Sequence, residues 1–163
     1  MLQIKNLSIM HKKDFRIILR DFSCTFNQGD KVVIIGEEGN GKSTLLRWLC
    51  DPMLISAYAE AVGERIIGTE RIAFLPQELS KEDMQKSVYE FFSEEPSFFE
   101  KTPKELGKMA SDFSVSQEVF FSDEIMRTLS GGEKVKVQMM RLLMSNPSVL
   151  LLDVNCSTLL KCA

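Results

Sequence analysis

The chain has 163 residues, of which 44% are hydrophobic and 26% charged, and its net charge is −3. That is one ordinary domain with enough apolar material for a core, which excludes an intrinsically disordered chain. No long basic run points to a nucleic acid or an anionic membrane, and no apolar stretch approaches the ~18–20 residues that cross a bilayer.

The opening segment, MLQIKNLSIM, lacks the apolar middle of a secretory signal, so the chain is read as cytoplasmic. Within it, Leu2–Ile9 alternates as LQIKNLSI and predicts a half-exposed strand. Ile17–Leu19 and Phe22–Phe26 predict a second and a third. Gln28-Gly29-Asp30 is a turn, and Lys31–Ile35 (KVVII) predicts a short strand buried on both faces. A glycine-rich loop leads into a helix over Ser43–Cys50, which Asp51-Pro52 ends. Arg65–Ile67 and Ile72–Phe74 are further short strands.

From Glu78 to about Thr128 the pattern changes to charged residues and clustered phenylalanines, read as a small helical insert over residues 78–128. Thr102-Pro103-Lys104-Glu105 predicts a helix start, with Thr102 as N-cap and Glu105 closing a capping box. The phenylalanines are read as the insert's own core rather than a ligand box. Gly131–Met144 predicts a second strong helix with Val135, Met139, Leu142 and Leu143 on one face. Asn146-Pro147 ends it, and Val149–Leu152 predicts another buried strand. The four cysteines show no CxxC spacing, and His11 is the only histidine. Reduced thiols are therefore expected rather than a zinc site.

Chemistry concentrates in Gly36-Glu37-Glu38-Gly39-Asn40-Gly41-Lys42-Ser43, which fits G-x-x-x-x-G-K-[ST] between a strand and a helix. Glycines let successive N–H groups turn inward around phosphate oxygens, where a Cβ would clash. Lys42 is placed to reach the β- and γ-phosphates and Ser43 to ligate Mg²⁺, with Thr44 beside it in the first helical turn. The helix also points its positive dipole end at the same anion. VLLLD ends on Asp153, which in P-loop proteins holds Mg²⁺, usually through water. LSGGE (129–133) precedes the second helix. Ser130 and Glu133 suffice for a capping box, but such a box does not call for Gly131 and Gly132 between its partners. Glycines there make sense if N–H groups approach a ligand closely. Phe74-Leu75-Pro76-Gln77 leaves a strand with an exposed glutamine.

In this order GEEGNGKST, LPQ, LSGGE and VLLLD resemble the ATP-binding cassette (ABC) ATPases, over residues 1–153. The resemblance implies an α/β P-loop NTPase fold, the ABC nucleotide-binding domain, with an N-terminal antiparallel β region and a small helical insert. It implies ATP and Mg²⁺ as cofactors, held by Gly36, Gly39, Asn40, Gly41, Lys42, Ser43 and Thr44. It further implies that a second cassette completes the site, so that Ser130, Gly131 and Gly132 act on the partner's ATP. Gln77 would sense Mg²⁺ and the attacking water. Phe15 lies where the family places an adenine-stacking aromatic, with simple strand packing as the alternative. The wording of GDKVVIIGEEGNGKSTLL and LSGGEKVKVQMMRLLMSNPSVLLLD looks most like the ABC-F group, which acts on ribosomes, including in antibiotic resistance. The cassette of a membrane transporter is the alternative.

The likeness ends after Asp153. Val154 stands where the family has a catalytic glutamate, and VNCSTLLKCA (154–163) is a divergent tail without the family's later strands or histidine. Valine cannot act as a base, so help worth about 10²–10⁴ in rate is missing, and ATP binding with little hydrolysis is expected. The chain reads as a single cassette lacking the C-terminal part of the fold. It is expected to be a truncated first cassette or a half-protein completed by another chain.

Overall fold

Alternation of apolar residues fails at one point in the first strand, and the sheet takes a bulge there. The computed structural model describes residues 1–153, which form two units: Met1–Phe74 with Ser148–Asp153, and Leu75–Pro147.

In the first unit, β1 (Leu2–His11) lies between β2 (Ile17–Phe26) and β3 (Ala59–Ile66) in an antiparallel sheet of order β2-β1-β3. Leu2, Ile4, Leu7 and Ile9 are all buried, although the step from 4 to 7 would turn the last two to the opposite face of a regular strand. A bulge absorbs the extra residue. The register shifts between Ile4 and Leu7 against β2 and between Lys5 and Ser8 against β3, with Asn6 at φ 50°. Side chains hold the bulge. The Ser23 hydroxyl accepts the Asn6 N–H at 2.9 Å, and the Ser8 hydroxyl accepts that of Asp21 at 3.0 Å. Across the bulge, Gly63 has φ 145°, and a Cβ there would stand 2.7 Å from Leu7 Cα, so the close approach requires glycine.

Helix α1 (Lys42–Cys50) packs Leu45, Trp48 and Leu49 into the core made by β1. A two-stranded sheet joins β4 (Ile72–Leu75) to β5 (Val149–Leu152). Ser148 N–H donates to Arg71 O at 2.9 Å, while its hydroxyl and the N-terminal ammonium both bond Glu70. These bonds, first the ammonium's and then the hydroxyl's, hold the Glu70 carboxyl below the usual glutamate value.

Three strand predictions need correction. Ile17–Leu19 and Phe22–Phe26 are one strand, because the bulge carries pairing through Asp21. Lys31–Ile35 is not a buried strand: among the described residues nothing pairs with it, and Val33 is 81% and Ile35 90% exposed. An apolar run becomes a buried strand only where other strands and helices cover it. For the same reason β5 buries only Leu151 of its four residues.

The second unit is helical: α2 (Val88–Ser93), α3 (Pro103–Asp112) and α4 (Gly131–Met144), with short 3-10 turns between. Each α-helix opens on a capping box, Ser87/Glu90, Thr102/Glu105 and Ser130/Glu133. Phe91, Phe92, Phe98 and Phe120 are buried together, with the Phe92 and Phe120 ring centroids 4.9 Å apart. The face of α4 in this core is Val137, Met140 and Met144. Val135, Met139, Leu142 and Leu143 are only half-buried, which corrects the predicted face. Both sets are apolar at helical spacing, and only packing tells them apart. Arg141 stands 4.3 Å over the Phe91 ring and bonds Glu94, which also pairs with Lys86.

Candidate functional site

Residues 36–40 of the glycine-rich loop are exposed. The loop's shape comes from the backbone: the Asn40 N–H bonds Glu37 O at 3.3 Å, and Gly39 and Gly41 adopt φ 81° and 80°. A side chain at Gly39 would meet nothing, but a Cβ at Gly41 would lie 2.0 Å from Ile18 Cγ2 on β2. Glycine at 41 is thus fixed twice, by a left-handed backbone and by the strand against it. The Lys42 ammonium folds back over the loop and donates to Gly36 O at 2.8 Å and Glu37 O at 2.7 Å. Exchanging two neutral carbonyls for phosphate oxygens would strengthen both bonds.

Gly41 is the N-cap of α1 and supplies no side-chain acceptor, and the first turn carries no acidic residue. The opening N–H groups of this helix are therefore left to an external anion. One residue into the helix, the Ser43 hydroxyl donates to Asp153 Oδ1 at 2.9 Å. Asp153 is 8% exposed, and among the described residues its Oδ2 is buried without a partner. An orphaned carboxylate oxygen beside a serine hydroxyl costs free energy unless a cation or water completes it. These groups fit Mg²⁺, a hard cation that takes hydroxyl and carboxylate oxygens and keeps several waters. Thr44, next in the helix, is buried.

Phe15 ends the β1–β2 turn region at φ 56° and is 71% exposed, so it is not packed into the strands. Ile18, three residues on, is the side chain that meets Gly41.

The second unit carries the other predicted residues. Gln77 is exposed just after β4. Ser130 caps α4, accepting the Glu133 N–H at 3.3 Å while its own N–H donates to Glu133 Oε2 at 2.8 Å. Bonds from the Ser130 hydroxyl and then its N–H hold the Glu133 carboxyl below the usual glutamate value. A Cβ at Gly131 or Gly132 would meet nothing within 4 Å, so nothing in the chain's own packing asks for glycine there. Val154 lies outside the described residues, as does the rest of the tail.

Sequence reasoning missed Ile18, whose contact with the loop nothing in the linear pattern marks. It also missed Arg65, whose Nη1 donates to Leu49 O at 2.6 Å and Cys50 O at 2.5 Å. A lone arginine in a strand carries no signal of such a contact.

A glycine loop opening an uncapped helix, with the helix serine bonded to an aspartate at a strand end, defines an α/β P-loop nucleotide-binding domain. Residues 19–156 match the family described as ABC transporter, and the chain belongs to that family as an ATPase cassette. It is 30% identical over 156 residues to the nickel import ATP-binding protein LarO of Lactiplantibacillus plantarum, covering 83% of this chain and 62% of LarO. It is also 30% identical to the uncharacterized ABC transporter ATP-binding protein YnjD of Escherichia coli, covering 94% of this chain and 73% of that one. A solved structure titled as the ATP binding subunit of an ABC transporter superposes with a TM-score of 0.69 at 18% identity. It covers 97% of this chain and 70% of that one, and it supports the fold, the ABC nucleotide-binding domain. The chain spans about three fifths of the length of LarO and of a zinc import ATP-binding protein, ZnuC, of Ehrlichia chaffeensis. Among the described residues, no helix is long and apolar enough to cross a membrane.

Proposed function

We propose that this chain binds Mg·ATP as the nucleotide-binding cassette of a membrane transporter, acting at the cytoplasmic face beside a membrane partner. The observation that carries the nucleotide reading is the Ser43–Asp153 bond with Asp153 Oδ2 left orphaned beside it. Gly36, Gly39, Asn40 and Gly41 would cradle the phosphates, and Lys42 would exchange its loop carbonyls for phosphate oxygens. Ser43 and Asp153 would hold Mg²⁺, which when bound neutralises phosphate charge. Exposed Phe15 is free to stack on the adenine. Gln77 would sense the metal and the attacking water. Ser130, Gly131 and Gly132 would face the nucleotide of a second cassette.

The relatives favour a transporter over the ABC-F group, because those compared are named as transport or import ATP-binding proteins. The ABC-F reading, with the ribosome as partner, rests on the wording of two segments alone. Cell fractionation separates the two. Recovery of the chain with membranes is the expected result, and sedimentation with ribosomes in a salt-resistant complex would overturn the transporter reading. Hydrolysis is expected to be weak, since Val154 offers no base.

A further inference from the structure

Helix α1 has to present bare N–H groups to an anion, so nothing can cap its leading end. The three α-helices of the second unit each open on a capping box, and α1 opens on Gly41 with none. Its trailing end is the opposite case. The last four carbonyls of a helix lack intrahelical partners. Here Arg47 O accepts the Asp51 N–H at 2.8 Å, and the other three face the guanidinium of Arg65. Its Nη1 lies 2.5 Å from Cys50 O, 2.6 Å from Leu49 O and 3.5 Å from Trp48 O. Two of these are strong charge-assisted bonds, and the third is a weak one.

Arg65 is on β3, opposite Ile4 in the register with β1, and Ile4 is fully buried in the core that holds α1. The strand thus fixes where the guanidinium sits, and the guanidinium fixes the last turn of the helix. We infer that Arg65 is a positioning residue of the nucleotide site, holding the phosphate-binding helix by its far end because its near end must stay uncapped. This inference rests on the nucleotide-binding reading above. Arg65 bonds the trailing carbonyls of α1 and is not among the residues proposed to hold phosphate or metal, so it would act through the nine-residue helix. A rigid helix passes a tilt at one end to the other, where Lys42 and Ser43 must meet oxygens to within a fraction of an ångström.

The chain's only tryptophan, Trp48, supplies the direct readout, since it is buried in the same turn and its carbonyl faces Arg65. The experiment compares wild type, Arg65→Gln and Arg65→Lys in the full chain, well below their melting temperatures. It measures the affinity for Mg·ATP, the affinity for AMP and Trp48 emission. AMP lacks the phosphates that Lys42 would hold, so misplacing the helix end should penalise ATP selectively, whereas simple unfolding lowers both affinities by the same factor. Arg65→Gln is expected to weaken Mg·ATP by about tenfold and AMP by less than about twofold. Trp48 emission is expected to shift in the same variant, and Arg65→Lys is expected to recover part of both effects.

Equal losses for the two nucleotides, or an unchanged Trp48 emission with Mg·ATP affinity intact, would overturn the inference. Should Arg65→Gln fail to fold, Arg65→Lys carries the test, and wild-type selectivity for ATP over AMP in that variant would overturn it. If wild type itself binds no Mg·ATP, the nucleotide reading fails. Trp48 emission then still decides whether Arg65 places the helix.

Discussion

The Ser43 hydroxyl lies 2.9 Å from Asp153 Oδ1, joining the first turn of α1 to the end of a strand 110 positions further along the chain. Among the described residues, the second oxygen of that carboxylate is buried with no partner. Such a group is costly by about 1–3 kcal/mol, and a bound cation would relieve that cost. Mg²⁺ with ATP should therefore raise the melting temperature more than ATP with EDTA. Asp153→Asn brings an amide into the position of the orphaned oxygen and should abolish most of that difference. An undiminished Mg²⁺ effect in Asp153→Asn would remove Asp153 from the metal site.

Gly41 and Gly39 share a left-handed backbone but not a neighbour. Alanine at 39 meets open space and carries only the backbone strain. At 41 it also meets Ile18 Cγ2. Strain of this kind costs about 1–3 kcal/mol. Chemical denaturation should show Gly41→Ala as clearly less stable than Gly39→Ala, and Ile18→Ala should narrow the gap between them. Equal stabilities for the two alanine variants would show that β2 does not constrain the loop.

The local features were legible in the sequence: Gly39 and Gly41 take the left-handed backbone that glycine allows, and the boxes at Thr102 and Ser130 need only three-residue spacing. Lys31–Ile35 was misread because its composition records an apolar environment and not what supplies it. The faces of α4 could not be ranked for a similar reason: Val135 and Val137 are equally apolar, and only the second lies in the helical core. Arg65 and Ile18 were invisible because their partners are backbone carbonyls and a missing Cβ, neither of which leaves a mark in a linear pattern.

Ser130 has a structural role, and a second role on a partner's nucleotide is proposed for it. Removing its hydroxyl should cost about 1 kcal/mol through the lost cap. Glu133→Ala removes the reciprocal half of the box and nothing from the proposed phosphate contact. Both variants should be less stable, but only Ser130→Ala should weaken ATP-dependent association of two cassettes, as read by analytical ultracentrifugation. Equal association in the two variants would confine Ser130 to capping.

The same pair gives a pH dependence. The folded-state value of Glu133 is depressed, so its contribution is complete above the ordinary glutamate value and is lost as pH falls through the lower folded value. Glu105, held down first by the Thr102 hydroxyl and then by its N–H, behaves in the same way. The stability gap between wild type and Glu133→Ala should be full at neutral pH and should shrink as the solution is acidified. A gap independent of pH would mean that the carboxylate charge contributes nothing to the cap.

Val154 carries no group able to take a proton from water. Steady-state phosphate release from the purified chain should therefore stay near background even with saturating Mg·ATP. Turnover within the usual enzymatic range of about 1–10³ per second would contradict this.

The central claim, that the loop at Gly36–Ser43 is a working nucleotide site, is tested most directly by titrating Mg·ATP into the purified chain and into Lys42→Ala. Among the described residues the Lys42 ammonium bonds Gly36 O and Glu37 O, both on the loop, and belongs to neither core, so its loss should leave the fold intact. The account predicts saturable binding by wild type and a loss of about a hundredfold or more in the variant, equivalent to about 2.7 kcal/mol. Equal affinities, or no binding by a folded wild-type chain, would contradict it.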